Sequence, residues 1–239
     1  MRLVLLAGVA AAFATAATVS PAVRAADAGR PVVVELFQSQ GCSSCPPANA
    51  NLNALADRPD VLALSFGVTY WDHLGWKDTF AKKQFTDRQW DYARARRRGS
   101  VWTPQVYVDG RSDVVGSDRA ELDAAVKDAA GAAAAPDIRI ASDRVTIGRA
   151  GDAAPPPSGG ADVWLVRYDS RIVQVPVKAG ENGGRTLPHR NVVRELVRLG
   201  SWSGEAASFD LPQPGQDGLS TAVLVQAGTG GPILAAARG

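Results

Sequence analysis

The residue pattern predicts an α/β domain with a mixed central sheet flanked by helices, followed by a smaller, mainly-β, sandwich-like domain. Apolar runs and helical stripes follow one another as β-α-β-α-β-β-α over residues 26–131. Over residues 137–239 the chain changes to short strand-like runs separated by Gly- and Pro-rich loops. The composition, 46% hydrophobic and 21% charged in 239 residues, fits a folded globular chain and excludes a disordered or collagen-like one.

Before the first strand, Leu3 to Ala14 form an apolar run behind Arg2, and Val23-Arg24-Ala25 satisfies the small-x-small rule of signal peptidase. Residues 1–25 therefore read as a cleaved secretory signal. The apolar stretch is shorter than the ~20 residues of a spanning helix, so no stable membrane insertion is expected after cleavage. Loss of Arg2 and Arg24 lowers Lys+Arg from 26 to 24 against 24 Asp+Glu. The mature chain is then formally neutral, which offers no global basic field for nucleic acid. Its expected location is periplasmic or secreted, an oxidising compartment in which neighbouring thiols pair unless a reductant maintains them.

Pro31 to Phe37 reads as a strand covered on both faces, and a cysteine-bearing turn follows it at once. A short helix is predicted over Pro47–Ala56 and a second buried strand over Val61–Val68, giving a parallel β-α-β unit. Tyr70 to Tyr92 holds seven of the sixteen aromatic residues and passes into a helix that ends in Arg94, Arg96, Arg97, Arg98 and Gly99. Basic residues there complement the helix dipole and read as a solvated helix end. Gln105–Val108, Asp109-Gly110 and Ser112–Val115 form a hairpin with a type I′ turn signal. Asp118 with Glu121 starts a last helix, whose inner face carries Leu122, Ala125, Val126 and Ala129.

Residues 132–136 form an alanine-rich linker. Beyond it, strand-like runs occupy Ile138–Ile147, Val163–Tyr168, Ile172–Val177 and Ala222–Gln226. Val192 to Leu199 fits a strand or a helical stripe equally.

Two cysteines exclude a disulfide-dense scaffold, and two histidines make a four-ligand zinc centre hard to assemble. Gly41-Cys42-Ser43-Ser44-Cys45-Pro46-Pro47 lies between a buried strand and a helix, where free amides and the dipole favour a thiolate. Cys42 is the candidate nucleophile and Cys45 the candidate resolving thiol. Ser43 and Ser44 are placed either to donate to the thiolate or to cap the helix. Pro46 and Pro47 are expected to delay the regular helix to Pro47, weakening the dipole at Cys42. A purely structural bond is the competing role. The chain-entropy relation gives a four-residue ring roughly 2 kcal/mol against about 3 for fifteen residues, so a staple would more usefully span a longer loop. Cu(I) binding by the two thiolates is a further alternative, although nothing in the sequence places His73 or His189 beside them.

Thr103-Pro104 precedes the hairpin, where a cis proline would expose a backbone edge beside the cysteines. An ordinary trans proline opening an edge strand is the alternative. Glu35, inside the first apolar strand, suits proton transfer with the thiols if desolvated, or else pairs with a Lys or Arg on the sheet face.

Together these residues resemble the thioredoxin superfamily. More narrowly, Glu35–Pro47 (ELFQSQGCSSCPP), Tyr70-Trp71-Asp72, Leu74–Asp78 (LGWKD), Thr103-Pro104-Gln105 and Asn191–Arg194 (NVVR) resemble a family of secreted bacterial thioredoxin-like proteins of unknown function. The resemblance covers nearly all of the mature chain. It implies a thioredoxin-like fold for residues 26–131, with the aromatic stretch 70–98 as an insertion, Cys42 and Cys45 as the redox pair and Pro104 in cis. It brings no substrate and no cofactor. Gly67 and Thr69 stand where that family often carries His and Asp. Trp71 and Trp76 either roof a substrate groove or pack in the core. The expected activity is thiol-disulfide exchange with protein or small-molecule disulfides and thiols. The alternatives are a non-catalytic binding protein of the same fold and a Cu(I) metallochaperone.

Overall fold

A computed structural model of the chain describes residues 30–130, 135–151 and 158–239. The predicted signal segment 1–25 and residues 132–134 of the linker lie outside the described residues. The first half follows the order read from the sequence: β1 (Val32–Gln38), α1 (Cys45–Leu55), β2 (Val61–Gly67), α2 (Lys83–Ala95), β3 (Gln105–Val108), β4 (Ser112–Val115) and α3 (Arg119–Ala129). β1 and β2 pair in parallel from Val32↔Val61 to Gln38↔Gly67, while β3 runs antiparallel to β1 and β4 to β3. Every residue of β1 and β2 is buried, the reason both read as continuous apolar runs. Alternate β1 side chains serve two cores: Val32, Val34 and Leu36 meet Leu52, Leu55, Leu122 and Val126, whereas Val33 and Phe37 meet Phe85 and Tyr92.

Local signals explain the joints. The β3–β4 turn has Asp109 at φ 48 and Gly110 at φ 59, with Arg111 N–H donating to the Val108 carbonyl at 2.9 Å, as a type I′ turn requires. Asp118 caps α3 by accepting the Glu121 amide at 2.9 Å. α1 begins at Cys45 rather than at Pro47, with Pro46 and Pro47 in its first positions. Amides there have no intrahelical partner, so proline removes nothing.

The second half contains β5 (Ile138–Ile140), β6 (Arg144–Ile147), β7 (Ala161–Asp169), β8 (Val173–Pro176), β9 (Thr186–His189), β10 (Val192–Trp202), β11 (Ala207–Asp210), β12 (Ser220–Ala227) and β13 (Ile233–Arg238). Its strands are not confined to a sheet of their own. One eight-stranded mixed sheet runs β13-β12-β7-β10-β2-β1-β3-β4, crossing from the second half to the first where β10 meets β2 at Val192↔Ser65. At that point the Ser65 amide donates to the Asn191 carbonyl at 2.9 Å, and further along β2 Gly67 bridges to Ala81. A three-stranded sheet, β11-β6-β5, packs Val145 and Ile147 against Val163, Leu165, Trp202 and Val225 of the large sheet. β8 and β9 form a two-stranded ribbon of their own.

The ambiguous segment is β10, paired antiparallel to β7 with register shifts at Val193/Glu195 and Arg198/Gly200. Those bulges break the two-residue alternation and make the apolar positions resemble a helical stripe. The run Ile138–Ile147 is a hairpin, β5–β6, rather than one strand. Among the described residues, no helix is long and apolar enough to cross a membrane.

Candidate functional site

Between the end of β1 at Gln38 and the start of α1 at Cys45, the chain makes a tight turn closed by Cys42 N–H on the Ser39 carbonyl at 3.1 Å. Three other segments grip it. From the aromatic stretch, Asp78 accepts the Gln40 amide at 2.7 Å, and the Gln40 side-chain oxygen accepts the Trp76 indole N–H at 2.9 Å. Trp71 lies against Gly41 and donates its indole N–H to the Thr103 hydroxyl at 2.7 Å. From the β8–β9 ribbon, the Asn182 amide donates to the Gln40 and Cys42 carbonyls at 2.9 and 2.8 Å, and Glu181 accepts the Ser43 amide at 2.9 Å.

Cys42 and Cys45 are both free thiols with 0% exposure. Cys45 Sγ donates to Cys42 Sγ at 2.6 Å, and the Ser44 hydroxyl lies 3.2 Å from Cys42 Sγ. These contacts divide the pair electrically. The Cys45 hydrogen bond pulls the Cys42 thiol down to about 6 against the cost of burial, with the Ser44 and Thr103 hydroxyls adding to the effect. Burial, followed by its donation to Cys42 and the charge that Cys42 carries, pushes Cys45 well above its ordinary value. The two shifts are opposed, so of the pair Cys42 is the first to lose its proton. Ser44 makes no side-chain cap on α1, so of the two uses foreseen for its hydroxyl the one toward the thiolate is realised.

The Thr103-Pro104 bond is cis, and Pro104 is buried beside Thr103. Glu35 lies elsewhere. Its carboxylate is fully buried and bridged to Arg88 at 2.7 and 3.2 Å, with the Tyr92 hydroxyl also donating to it. Arg88 continues to Gln226 of β12 at 3.1 Å. Neither thiol is among the hydrogen-bond partners of Glu35, so its placement matches the paired-carboxylate alternative. The structure thus brings together Cys42, Cys45, Ser44, Thr103 and Pro104, and sets Glu35 into an ion pair.

Trp71 and Trp76 are half-buried and hydrogen-bonded rather than plain core residues. Asp78, Glu181 and Asn182 were not foreseen as site residues. Asp78 stands in the quoted LGWKD segment, but Gly180-Glu181-Asn182-Gly183-Gly184 reads only as a loop. His189 lies in β9 against Phe80, with ring centroids 5.4 Å apart. Among the described residues, no three His, Cys, Asp or Glu side chains converge as a metal cluster.

The fold and site describe a mixed α/β protein with a large mixed sheet, few helices and a close pair of thiols at its strand-to-helix turn. The chain belongs to a protein family of unknown function, DUF1223, whose model matches residues 33–226. It is similar to a protein from Agrobacterium tumefaciens solved by X-ray crystallography in a structural genomics programme. The two are 32% identical with a TM-score of 0.68, over 87% of this chain and 92% of that one. No curated protein matches the chain.

Proposed function

We propose that the protein is an exported thiol-disulfide oxidoreductase whose residues 26–131 form a thioredoxin-like domain. The observation that carries this reading is the placement of the thiol pair: Cys42 and Cys45 lie side by side at a strand-to-helix turn, beside the Ser44 hydroxyl and the cis Thr103-Pro104 bond. The opposed shifts of the two thiols, Cys42 down and Cys45 up, add to it. Structural thiols have no need of such opposed shifts, whereas exchange requires one nucleophile and one reserve proton donor. The β2-β1-β3-β4 order with three flanking helices adds support. Export rests on the Leu3–Ala25 pattern.

In the reaction, Cys42 thiolate attacks one sulfur of a substrate disulfide, and the distal substrate sulfur leaves as a thiolate. Cys45 then gives up its proton to the substrate thiolate already released and attacks Cys42 Sγ. The second substrate thiolate leaves, and the two electrons of the Cys42/Cys45 dithiol end on a substrate dithiol. Run in reverse, the same steps oxidise a substrate. Protein and small-molecule disulfides and thiols are the reaction partners.

Equilibration of the mature protein in graded glutathione buffers, with Cys42 alkylation quantified by mass spectrometry across pH, tests the proposal. Exchange with glutathione and a Cys42 midpoint near 6 are expected. A thiol midpoint near ~8.5 with a potential below about −300 mV would mark a structural bond instead. Stoichiometric Cu(I) binding abolished by Cys42→Ser, without exchange, would move the assignment to metal delivery.

A further inference from the structure

Complete burial of Cys42 conflicts with exchange chemistry, because an incoming disulfide must align with the attacking sulfur. Something over the dithiol has to move. β1, α1 and β2 belong to the apolar cores, and the aromatic stretch and the β8–β9 strands are held together in a further one, where Phe80 packs with Val175, Val177 and Leu187. The tip of the β8–β9 ribbon, residues 178–184, differs. Of those residues only Asn182 is buried, and the ribbon that carries them lies outside both larger sheets.

Its loop is closed at the neck by Val177 N–H on the Arg185 carbonyl and Gly184 N–H on the Val177 carbonyl, each at 2.9 Å. Beyond the neck, the tip reaches the cysteine turn through three hydrogen bonds: both amide donations of Asn182 and the Glu181 bond to Ser43. Asn182 is 0% exposed, and Arg185 holds its side-chain oxygen at 2.7 Å. Gly180, at φ +74, is wedged against Trp76, where a Cβ would stand 3.2 Å from the Trp76 Cβ. The tip therefore occupies the space between the cysteine turn and the aromatic stretch.

We infer that the tip of the β8–β9 hairpin, residues 178–184, is a cap over the dithiol, hinged at its neck and latched by Asn182, and that it opens before Cys42 meets a disulfide. The inference deepens the exchange reading and gives this part of the β-rich half a task at the site. Opening frees the Gln40 and Cys42 carbonyls and the Ser43 amide. Those two acceptors and one donor suit the main chain of an extended polypeptide carrying the disulfide. The cap tip holds the place of that segment until it arrives.

Iodoacetamide labelling of the reduced full-length protein, followed peptide by peptide by mass spectrometry, tests the cap without requiring any disulfide exchange. Per thiolate, Cys42 in the folded protein is expected to react at least about tenfold slower than in urea-unfolded protein, since labelling waits on local opening. Asn182→Ala is expected to raise the folded rate at least about fivefold while leaving the pH midpoint of labelling in place. Glu181→Ala, at an exposed side chain, is expected to raise it about twofold and decides the matter if Asn182→Ala fails to fold. Folded labelling within about twofold of the unfolded rate, or no acceleration in either variant, overturns the cap. Gated labelling without glutathione exchange would overturn the exchange reading alone, and exchange with ungated labelling would overturn the cap alone.

Discussion

Cys42 owes its low pKa chiefly to one neighbour, the Cys45 thiol, with the Ser44 and Thr103 hydroxyls adding to it against burial. The Cys-x-x-Cys spacing makes the pair visible in the sequence, but the helix dipole invoked from that spacing is not the main cause. A side chain's donor is set by rotamer and burial, and neither can be read from spacing. Cys45→Ala should therefore move the Cys42 titration upward from about 6 toward its ordinary 9.0, read as thiolate absorbance against pH. Ser44→Ala should move it in the same direction by less; a titration unchanged in both variants would remove the assigned cause. The sign for stability follows. A depressed thiol pKa stabilises the reduced fold above pH 9, and that contribution is lost as pH falls through 6. Stabilising the thiolate also favours the reduced pair, which makes the disulfide a stronger oxidant.

At the scale of elements, those with strong local signals are the ones the sequence discloses. The β3–β4 turn carries Asp109-Gly110, α3 carries Asp118 and Glu121, and β1 and β2 are unbroken apolar runs. Thr186–His189, Ala207–Asp210 and Ile233–Arg238 escape because they are short or alanine-rich, and they are strands only by virtue of their neighbours. Likewise the continuation of the sheet through β10 is a long-range pairing that no local pattern encodes. Gly67 shows such a neighbour effect at one position. It bridges to Ala81, and a Cβ there would stand 2.8 Å from the Ala81 nitrogen and 2.9 Å from the Phe80 carbonyl carbon. Both obstacles are backbone, so relief requires displacing the chain that leads into α2. Gly67→Ala is expected to cost roughly 1–3 kcal/mol in urea unfolding, and a variant as stable as the parent would show that this segment yields freely.

Across the whole molecule, the two halves are joined by the β2–β10 pairing and by the buried chain Glu35–Arg88–Gln226. Arg88→Met should cost about 3–5 kcal/mol in urea unfolding, because it leaves the Glu35 carboxylate buried without its cation. The response of the whole fold to acid is set in part by His189. Both its ring nitrogens are buried without a hydrogen-bond partner among the described residues, and its ring packs on Phe80 in the cluster of Val175, Val177, Leu187 and Val192. Burial first, and then the nearby Arg194 cation, hold its pKa down to about 4 from 6.5. Arg194 is itself turned toward Asp169, 4.0 Å away, and feels the charges of Arg171 and Asp78. Between pH 6.5 and 4 the unfolded chain binds a proton at this site that the folded chain refuses. Stability must therefore fall as pH drops through that window and level off below it, by about 3 kcal/mol at one pKa unit per 1.36 kcal/mol. Asp78 and Asp109, whose carboxyls burial pushes up, contribute with the opposite sign, so the difference between two proteins isolates the histidine. His189→Phe should lose the fall that the parent shows in urea midpoints measured from pH 7 to pH 4. Parallel curves for the two proteins would show that the histidine is hydrated or partnered in solution and carries no part of the acid response.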